Sequence, residues 1–332
     1  MGEFDLIERY FKRPARQAVL GVGDDCALLQ PSPGTQLAIS SDMLVEGRHF
    51  LSTVHPYKLG HKALAVNLSD LAACGAKPLA FTLALALPRA DEAWLAPFSQ
   101  GLLALADLHG CELIGGDTTQ GPLNICITVF GEVPVVGGRS QALLRSGAQP
   151  GDDLYVSGSV GDARLALEVF RGSVSVPAPL FDAARWRLEQ PTPRVALGLA
   201  LRGIATAAID VSDGLLGDLG HILKQSGVGA TVDTEVAINL VAAYAQYTGA
   251  GGQFGTEILA EQWLGWALAG GDDYELLFTA PPSARAQVAA AALASQTPVT
   301  HIGHISAERG LRLVDGDGQV VPNRYSSFDH FA

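Results

Sequence analysis

An apolar run that stops at small residues and then an aspartate recurs along this chain. The instances are Gly23-Asp24-Asp25, Ser40-Ser41-Asp42, Gly115-Gly116-Asp117, Asp210-Val211-Ser212-Asp213 and Gly270-Gly271-Asp272-Asp273. Asp70 stands with them inside Asn67-Leu68-Ser69-Asp70. An apolar run feeding Gly or Ser reads as a buried strand ending in a tight turn. A carboxylate at each such turn aims negative charge at one edge of a sheet. That edge repels itself unless cations occupy it. Hard cations take oxygen ligands, so the pattern predicts Mg²⁺ carrying phosphates. One Asp after Gly is usually a turn residue or an N-cap. Caps do not require paired Asp-Asp or Ser-Ser-Asp at strand ends, so the repetition favours the metal. Asp70 falls on an expected helix of mostly Ala, Leu and Val, where a mid-helix carboxylate needs a partner.

The rest of the chain limits what can surround these carboxylates. With 332 residues there is room for one large or two ordinary domains. Hydrophobic residues make up 48% and charged residues 17%, enough for a substantial core. The net charge of −12 makes a poor binder of nucleic acid or anionic membrane, although metal ions would still admit a nucleotide. Cys26, Cys74, Cys111 and Cys126 form no C-x-x-C pair and read as reduced core cysteines. The longest apolar stretch, Leu79 to Pro88, is too short to span a bilayer, and residues 1–17 are not a signal peptide. A cytoplasmic protein is expected.

Periodicity predicts helices over Glu3–Phe11, from Pro56 to near Gly75, and over Asp91–Leu108, Pro193–Leu201, Leu215–Gln225 and Ser283–Leu293. Strands are expected at Val19–Val22, Cys26–Leu29, Leu37–Ser40, Leu79–Leu87, Glu112–Ile114, Asn124–Val133, Leu154–Val156, Ala207–Ile209 and Tyr274–Phe278, and near His301 and Leu311. Between Val135 and Gly151 the composition turns to Gly, Pro, Ser and Gln. The boundary is placed there, giving domains 1–137 and 138–332. Both halves mix strands and helices, so the class is α/β (α+β).

Several nucleotide-binding solutions are absent. Cys26 stands where a dinucleotide fingerprint beginning at Gly21 needs its third glycine. No Lys follows a Gly, so there is no Walker A loop, and the linked signals of a protein kinase are missing. His49 sits just past Asp42 and would reach a substrate phosphate or serve as a structural hydrogen-bonding residue. Gly158-Ser-Val-Gly161-Asp162 before a helix reads equally as a phosphate cradle or as a plain loop with an N-cap.

The combination of motifs resembles the thiamine-monophosphate kinase family. It is carried by Phe4-Asp5-Leu6-Ile7, Gly21-Val-Gly-Asp-Asp-Cys-Ala-Leu28, Ser40-Ser-Asp-Met-Leu-Val-Glu-Gly-Arg-His-Phe50 and Ala65-Val-Asn-Leu-Ser-Asp-Leu-Ala-Ala73. It continues through Leu113-Ile-Gly-Gly-Asp-Thr-Thr119, Arg145-Ser-Gly147, Ile209-Asp-Val-Ser-Asp-Gly-Leu215, Gly270-Gly-Asp-Asp-Tyr-Glu-Leu276 and Phe328-Asp-His-Phe331. The resemblance implies a two-domain fold like aminoimidazole ribonucleotide synthetase and a homodimer paired through the N-terminal sheets. It implies transfer of phosphate from ATP to thiamine monophosphate, giving thiamine diphosphate and ADP. In it the N-terminal domain binds ATP and Mg²⁺ and dimerises, and the C-terminal domain completes the active site.

By the same resemblance, Asp25, Ser40, Ser41, Asp42, Asp70, Asp117, Asp210 and Asp213 are Mg²⁺ ligands. Gly116, Asp117, Arg145 and Ser212 contact ATP, and His49, Asp272 and Phe328 contact the thiamine substrate. K⁺ is a possible further cofactor. Two positions depart from the family: Asp272 stands where Glu is expected, and Phe328 where Tyr or Trp is usual. No residue is expected as a general acid or base, because the acceptor is a phosphate monoester with a second pKa near ~6. Asp42, Asp117, Arg145 and the metals would supply charge stabilisation for direct in-line transfer. Two alternatives stay open: another ATP-using enzyme of the same superfamily, and a non-enzymatic Mg²⁺–nucleotide-binding protein.

Overall fold

The computed structural model describes residues 2–249 and 258–326. The chain forms two compact units, the first ending at Ala142 and the second starting at Leu143, with Ala72–Cys74 counted in the second.

The first unit contains α1 (Glu3–Tyr10), β1 (Thr35–Val45), α2 (Pro56–Ala73), β2 (Lys77–Leu87), α3 (Glu92–His109), β3 (Glu112–Gln120), β4 (Asn124–Val136) and β5 (Arg139–Ser140). Its sheet runs β1-β4-β2-β3, with β5 on β4. β1 and β2 flank β4 antiparallel, while β2 and β3 run parallel, joined through α3. On β2 and β4 alternate residues such as Phe81, Leu83, Leu85, Ile125, Ile127 and Val129 are fully buried. Each such side chain removed from water contributes about 1.5–3 kcal/mol. The helices α2 and α3 cross at two glycines. A Cβ on Gly60 would lie 2.1 Å from the Phe98 carbonyl oxygen, and one on Gly101 1.9 Å from that of Tyr57.

Two expectations for this unit are corrected. Val19–Val22 and Cys26–Leu29 are not strands but are tied by single bridges, Leu20 to Leu28 and Val22 to Asp24. Asp42 and Asp117 do not sit at turns after short strands, because β1 and β3 continue past them. The reason lies in the topology. β1 and β3 are the two edges of the sheet, and an edge strand tolerates Gly, Ser and Asp that a central strand would reject.

The second unit contains β6 (Asp153–Ser157), α4 (Asp162–Phe170), α5 (Ala178–Glu189), α6 (Val195–Ala200), β7 (Ala207–Asp210), α7 (Leu215–Ser226), β8 (Gly229–Asp233), α8 (Thr234–Ile238) and α9 (Ala242–Gly249). It continues with α10 (Ala260–Ala269), β9 (Leu276–Ala280), α11 (Arg285–Ala294), β10 (Val299–Ser306), β11 (Gly310–Val314) and β12 (Val320–Val321). The sheet order is β12-β11-β8-β10-β6-β9-β7. Every residue of β6, β7 and β9 is buried. The strand expected to begin at Tyr274 begins at Leu276 instead, because Tyr274 is left-handed, with φ 53°. Among the described residues, no helix is long and apolar enough to cross a membrane.

Candidate functional site

In the first unit, α2 supplies a carboxylate from an otherwise closed helix. Between Lys62 and Ala72 every residue is buried except Asp70, which is half-buried. Its carboxylate accepts a hydrogen bond from the Ser40 hydroxyl. The partner expected for a mid-helix Asp is thus, in this structure, a side chain that is itself a candidate metal ligand. One turn earlier on α2, Asn67 Oδ1 accepts the Asp42 backbone N–H at 3.0 Å. Strand alternation puts Ser40 and Asp42 on one face of β1 and Ser41 on the other. Ser41 Oγ lies 2.9 Å from Thr128 Oγ1 and donates to the Ile127 carbonyl at 3.2 Å.

Asp117 occupies the opposite edge of the sheet. It falls in the row Asp117–Ala84–Cys126–Met43 across β3, β2, β4 and β1. Strands spaced by about 4.8 Å put the β1 and β3 backbones roughly 14 Å apart along the sheet. A cavity of about 580 Å³ gathers Asp24, Asp25, Gly116 and Asp117 opposite Phe4, Ile7 and Phe11 of α1. Gly116 has φ 144°, and a Cβ there would lie 1.9 Å from the Leu83 carbonyl oxygen, so only glycine lets β3 pass at this point. His49 Nδ1 accepts the Val45 N–H at 3.0 Å, which leaves Nε2 carrying the proton in the neutral ring.

In the second unit the candidate residues collect around the end of the edge strand β7. Asp210 is its last residue and is buried. The loop that follows is folded around a carboxylate that sequence reasoning missed. Asp218 Oδ2 accepts the N–H groups of Ser212, Asp213 and Gly214 at 3.0, 3.1 and 3.2 Å. Burial, then the charge of Asp213, pushes the Asp218 carboxyl up to about 7 against those hydrogen bonds. Arg145 is exposed, and its backbone is fixed beside β7. Ala208 N–H donates to the Leu144 carbonyl at 2.9 Å. Ser226 Oγ donates to the Arg145 carbonyl at 3.2 Å and accepts Gly147 N–H at 3.1 Å.

The segment carrying Asp272 lies against the same loop. Asp272 N–H donates to the Ser212 carbonyl, Tyr274 N–H to the Val211 carbonyl, and Val211 N–H to the Glu275 carbonyl, each at 2.8 Å. Behind it is a buried ionic cluster. Glu275, fully buried, accepts Ser157 Oγ, Arg187 Nη2 and Arg194 Nε, each at 2.6 Å. Asp273 accepts Gly161 N–H on both oxygens, at 2.9 and 3.0 Å, and burial holds its carboxyl well above the usual range. Asp162 accepts the Ala242 and Ala243 N–H groups at 3.1 and 3.0 Å and so caps α9. The Gly158–Asp162 turn is therefore a loop without a side-chain N-cap for α4, and the protein's own Asp273 takes the Gly161 N–H that a phosphate would use.

The donor set of the candidate ligands is oxygen only, which suits Mg²⁺. Among the described residues, no three His, Cys, Asp or Glu side chains converge on a point that could hold a metal ion. Phe328 lies outside the described residues. The sequence signal that would have found Glu275 is its place in the Gly-Gly-Asp-Asp-Tyr-Glu run. Arg187 and Arg194 carried no local signal.

Residues 23–133 match the family described as AIR synthase related protein, N-terminal domain, and residues 149–316 its C-terminal domain. The chain is 46% identical to the thiamine-monophosphate kinase of Salmonella typhimurium over 100% of this chain and 98% of that one. It resembles the crystal structure of thiamine-monophosphate kinase from Stenotrophomonas maltophilia, with TM-score 0.81, 42% identity and 96% of each chain covered. It also resembles AaThiL complexed with AMPPCP and TMP, with TM-score 0.74 and 28% identity, over 91% of this chain and 89% of that one.

Proposed function

The chain belongs to the thiamine-monophosphate kinase family of AIR synthase related proteins, and on that premise we propose that it transfers the γ-phosphoryl group of ATP to thiamine monophosphate, giving thiamine diphosphate and ADP. The observation that carries this reading is the full-length likeness to kinases of that name. The oxygen-only set of acidic and hydroxyl side chains agrees with it. Asp25, Ser40, Ser41, Asp42, Asp70 and Asp117 of the first unit, with Asp210 and Asp213 of the second, would hold Mg²⁺. When bound, Mg²⁺ supplies neutralising charge to the β- and γ-phosphates. Gly116 and Asp117 are assigned to ATP in residues 1–137, and Arg145 and Ser212 in residues 138–332.

The chemistry asks little of a base. The acceptor phosphate is largely ionised at neutral pH, its second pKa lying near ~6, so no proton need be removed before attack. The obstacle is the approach of two polyanions. The guanidinium of Arg145, a residue whose backbone carbonyl accepts from Ser226 Oγ, would offset that repulsion as charge spreads over the transferred group. His49, Asp272 and Phe328 are assigned to the thiamine substrate. Direct in-line transfer predicts inversion at a chiral phosphorus; retention would point to a phosphoenzyme.

We also infer a homodimer. On β1, an edge strand, Leu37, Ile39 and Met43 share one face and are 43, 60 and 52% exposed. An unpaired edge with apolar side chains invites another strand or sheet. A second copy would cover this face, and Ile39→Lys should shift the chain to monomer by sedimentation. The decisive test of the activity is a coupled assay of thiamine monophosphate and ATP, with thiamine and aminoimidazole-pathway substrates as controls. Binding of Mg²⁺–ATP without formation of thiamine diphosphate would overturn the kinase reading.

A further inference from the structure

Among the described residues, only Asp272, Tyr274 and Gln296 are non-glycine residues with positive φ, at 61°, 53° and 52°. Two of the three fall in one motif, and one of those is an aromatic residue, for which a left-handed backbone is an outlier. Strain of this kind persists only where the surroundings over-determine it, and it concentrates at functional sites. Here the surroundings are explicit. Backbone hydrogen bonds pin Asp272 and Tyr274 to Ser212 and Val211. The next residue, Glu275, is locked by Arg187, Arg194 and Ser157 in a fully buried cluster. The residue between them, Asp273, is clamped to Gly161.

The consequence is local. The left-handed turn brings side chains two residues apart onto the same side, and Tyr274 Oη donates to Asp272 Oδ1 at 3.2 Å. Glycine at 274 would adopt this backbone without strain but would have no hydroxyl to give. Tyr274 is itself 9% exposed, so its ring is packed and its hydroxyl has few directions available.

We propose that Tyr274 is a positioning residue for acceptor recognition, its hydroxyl fixing the direction in which the Asp272 carboxylate faces the cationic, amino-bearing heterocycles of the substrate. This rests on the reading of Asp272 as a substrate contact. An Asp side chain is one methylene shorter than Glu, so its carboxylate reaches less far and its direction matters more. A hydroxyl bond to one oxygen holds the plane of the group. The buried cluster at Glu275 keeps the pair in place when no ligand is bound.

The test compares Tyr274→Phe, Asp272→Ala and the double variant in steady-state kinetics, with thermal melting as a check on the fold. Tyr274→Phe should raise KM for thiamine monophosphate roughly five- to tenfold, the size expected for losing one hydrogen bond of ordinary net strength. KM for ATP, kcat and Tm should stay near wild type. Asp272→Ala should raise the same KM at least as much, and adding Tyr274→Phe to it should do nothing further. If Asp272→Ala raises that KM and Tyr274→Phe does not, the positioning role is wrong while the substrate contact stands. If both KM values rise together or Tm drops sharply with Tyr274→Phe, the residue is structural and the proposal fails. If Asp272→Ala leaves the KM unchanged, the underlying reading of Asp272 falls, and the positioning role with it.

Discussion

Two groups of acidic residues, one at the first unit's sheet and helix α2 and one around the Gly-Asp segments of the second, are held in different ways. In the first, Asp25 and Asp117 are exposed at a cavity and Asp70 is the half-buried gap in a buried helix. In the second, Asp162, Asp218, Asp273 and Glu275 are all at most 3% exposed and bonded to backbone N–H groups or arginines. An exposed carboxylate costs the fold little and is available to a cation. A buried one must be satisfied internally and then serves as a brace. The same residue type, in similar Gly- and Ser-rich contexts, thus stands exposed at Asp25 and Asp117 and serves as internal support at Asp162, Asp218, Asp273 and Glu275.

The largest expected effect breaks the presentation half. Asp117→Asn removes one charge from an exposed edge position. Turnover should fall by roughly two to three orders of magnitude at saturating Mg²⁺, since charge stabilisation carries phosphoryl transfer. Melting temperature should hardly move. Near-normal kcat would remove Asp117 from the metal and nucleotide set.

The next effect contrasts bracing with surface pairing. Glu275→Ala strands Arg187 and Arg194, whose side chains are only 15 and 16% exposed. Leaving a buried charge unpaired should cost about 3–5 kcal/mol. Asp107→Ala in the first unit opens the Arg13–Asp107 pair, 42 and 54% exposed, and should cost less than about 1 kcal/mol. Urea unfolding of the two variants measures both. Equal losses would erase the distinction between the units.

How much of this could be read from the chain follows from how local each signal is. The Asp-bearing motifs were legible because each is a contiguous run with a physical oddity, a carboxylate after an apolar stretch. Strand lengths around Asp42 and Asp117 were not, because edge position depends on the order β1-β4-β2-β3, which no local pattern encodes. Asp218 was passed over because its partners are the backbone N–H groups of Ser212, Asp213 and Gly214, and backbone donors leave no mark on sequence. Arg187 and Arg194 meet Glu275 from more than eighty positions away. Asp273 and Asp162, one left without a role and the other with a cap as one of two readings, resolve into braces because their donors arrive from other loops.

A smaller, pH-dependent effect sharpens the bracing half. The Asp218 carboxyl is raised from 3.8 to about 7, chiefly by burial and next by Asp213. A group with a raised folded pKa favours the folded state while protonated. Its contribution is therefore complete below 3.8 and is lost as pH rises through about 7. Asp218→Asn keeps an oxygen for the three backbone N–H groups and removes the charge. In EDTA, the melting temperature of Asp218→Asn relative to wild type should therefore climb between about pH 4 and pH 7 and level off above it. A constant difference across that range would show that the loop is held by the hydrogen bonds alone and that burial charges nothing for the carboxylate.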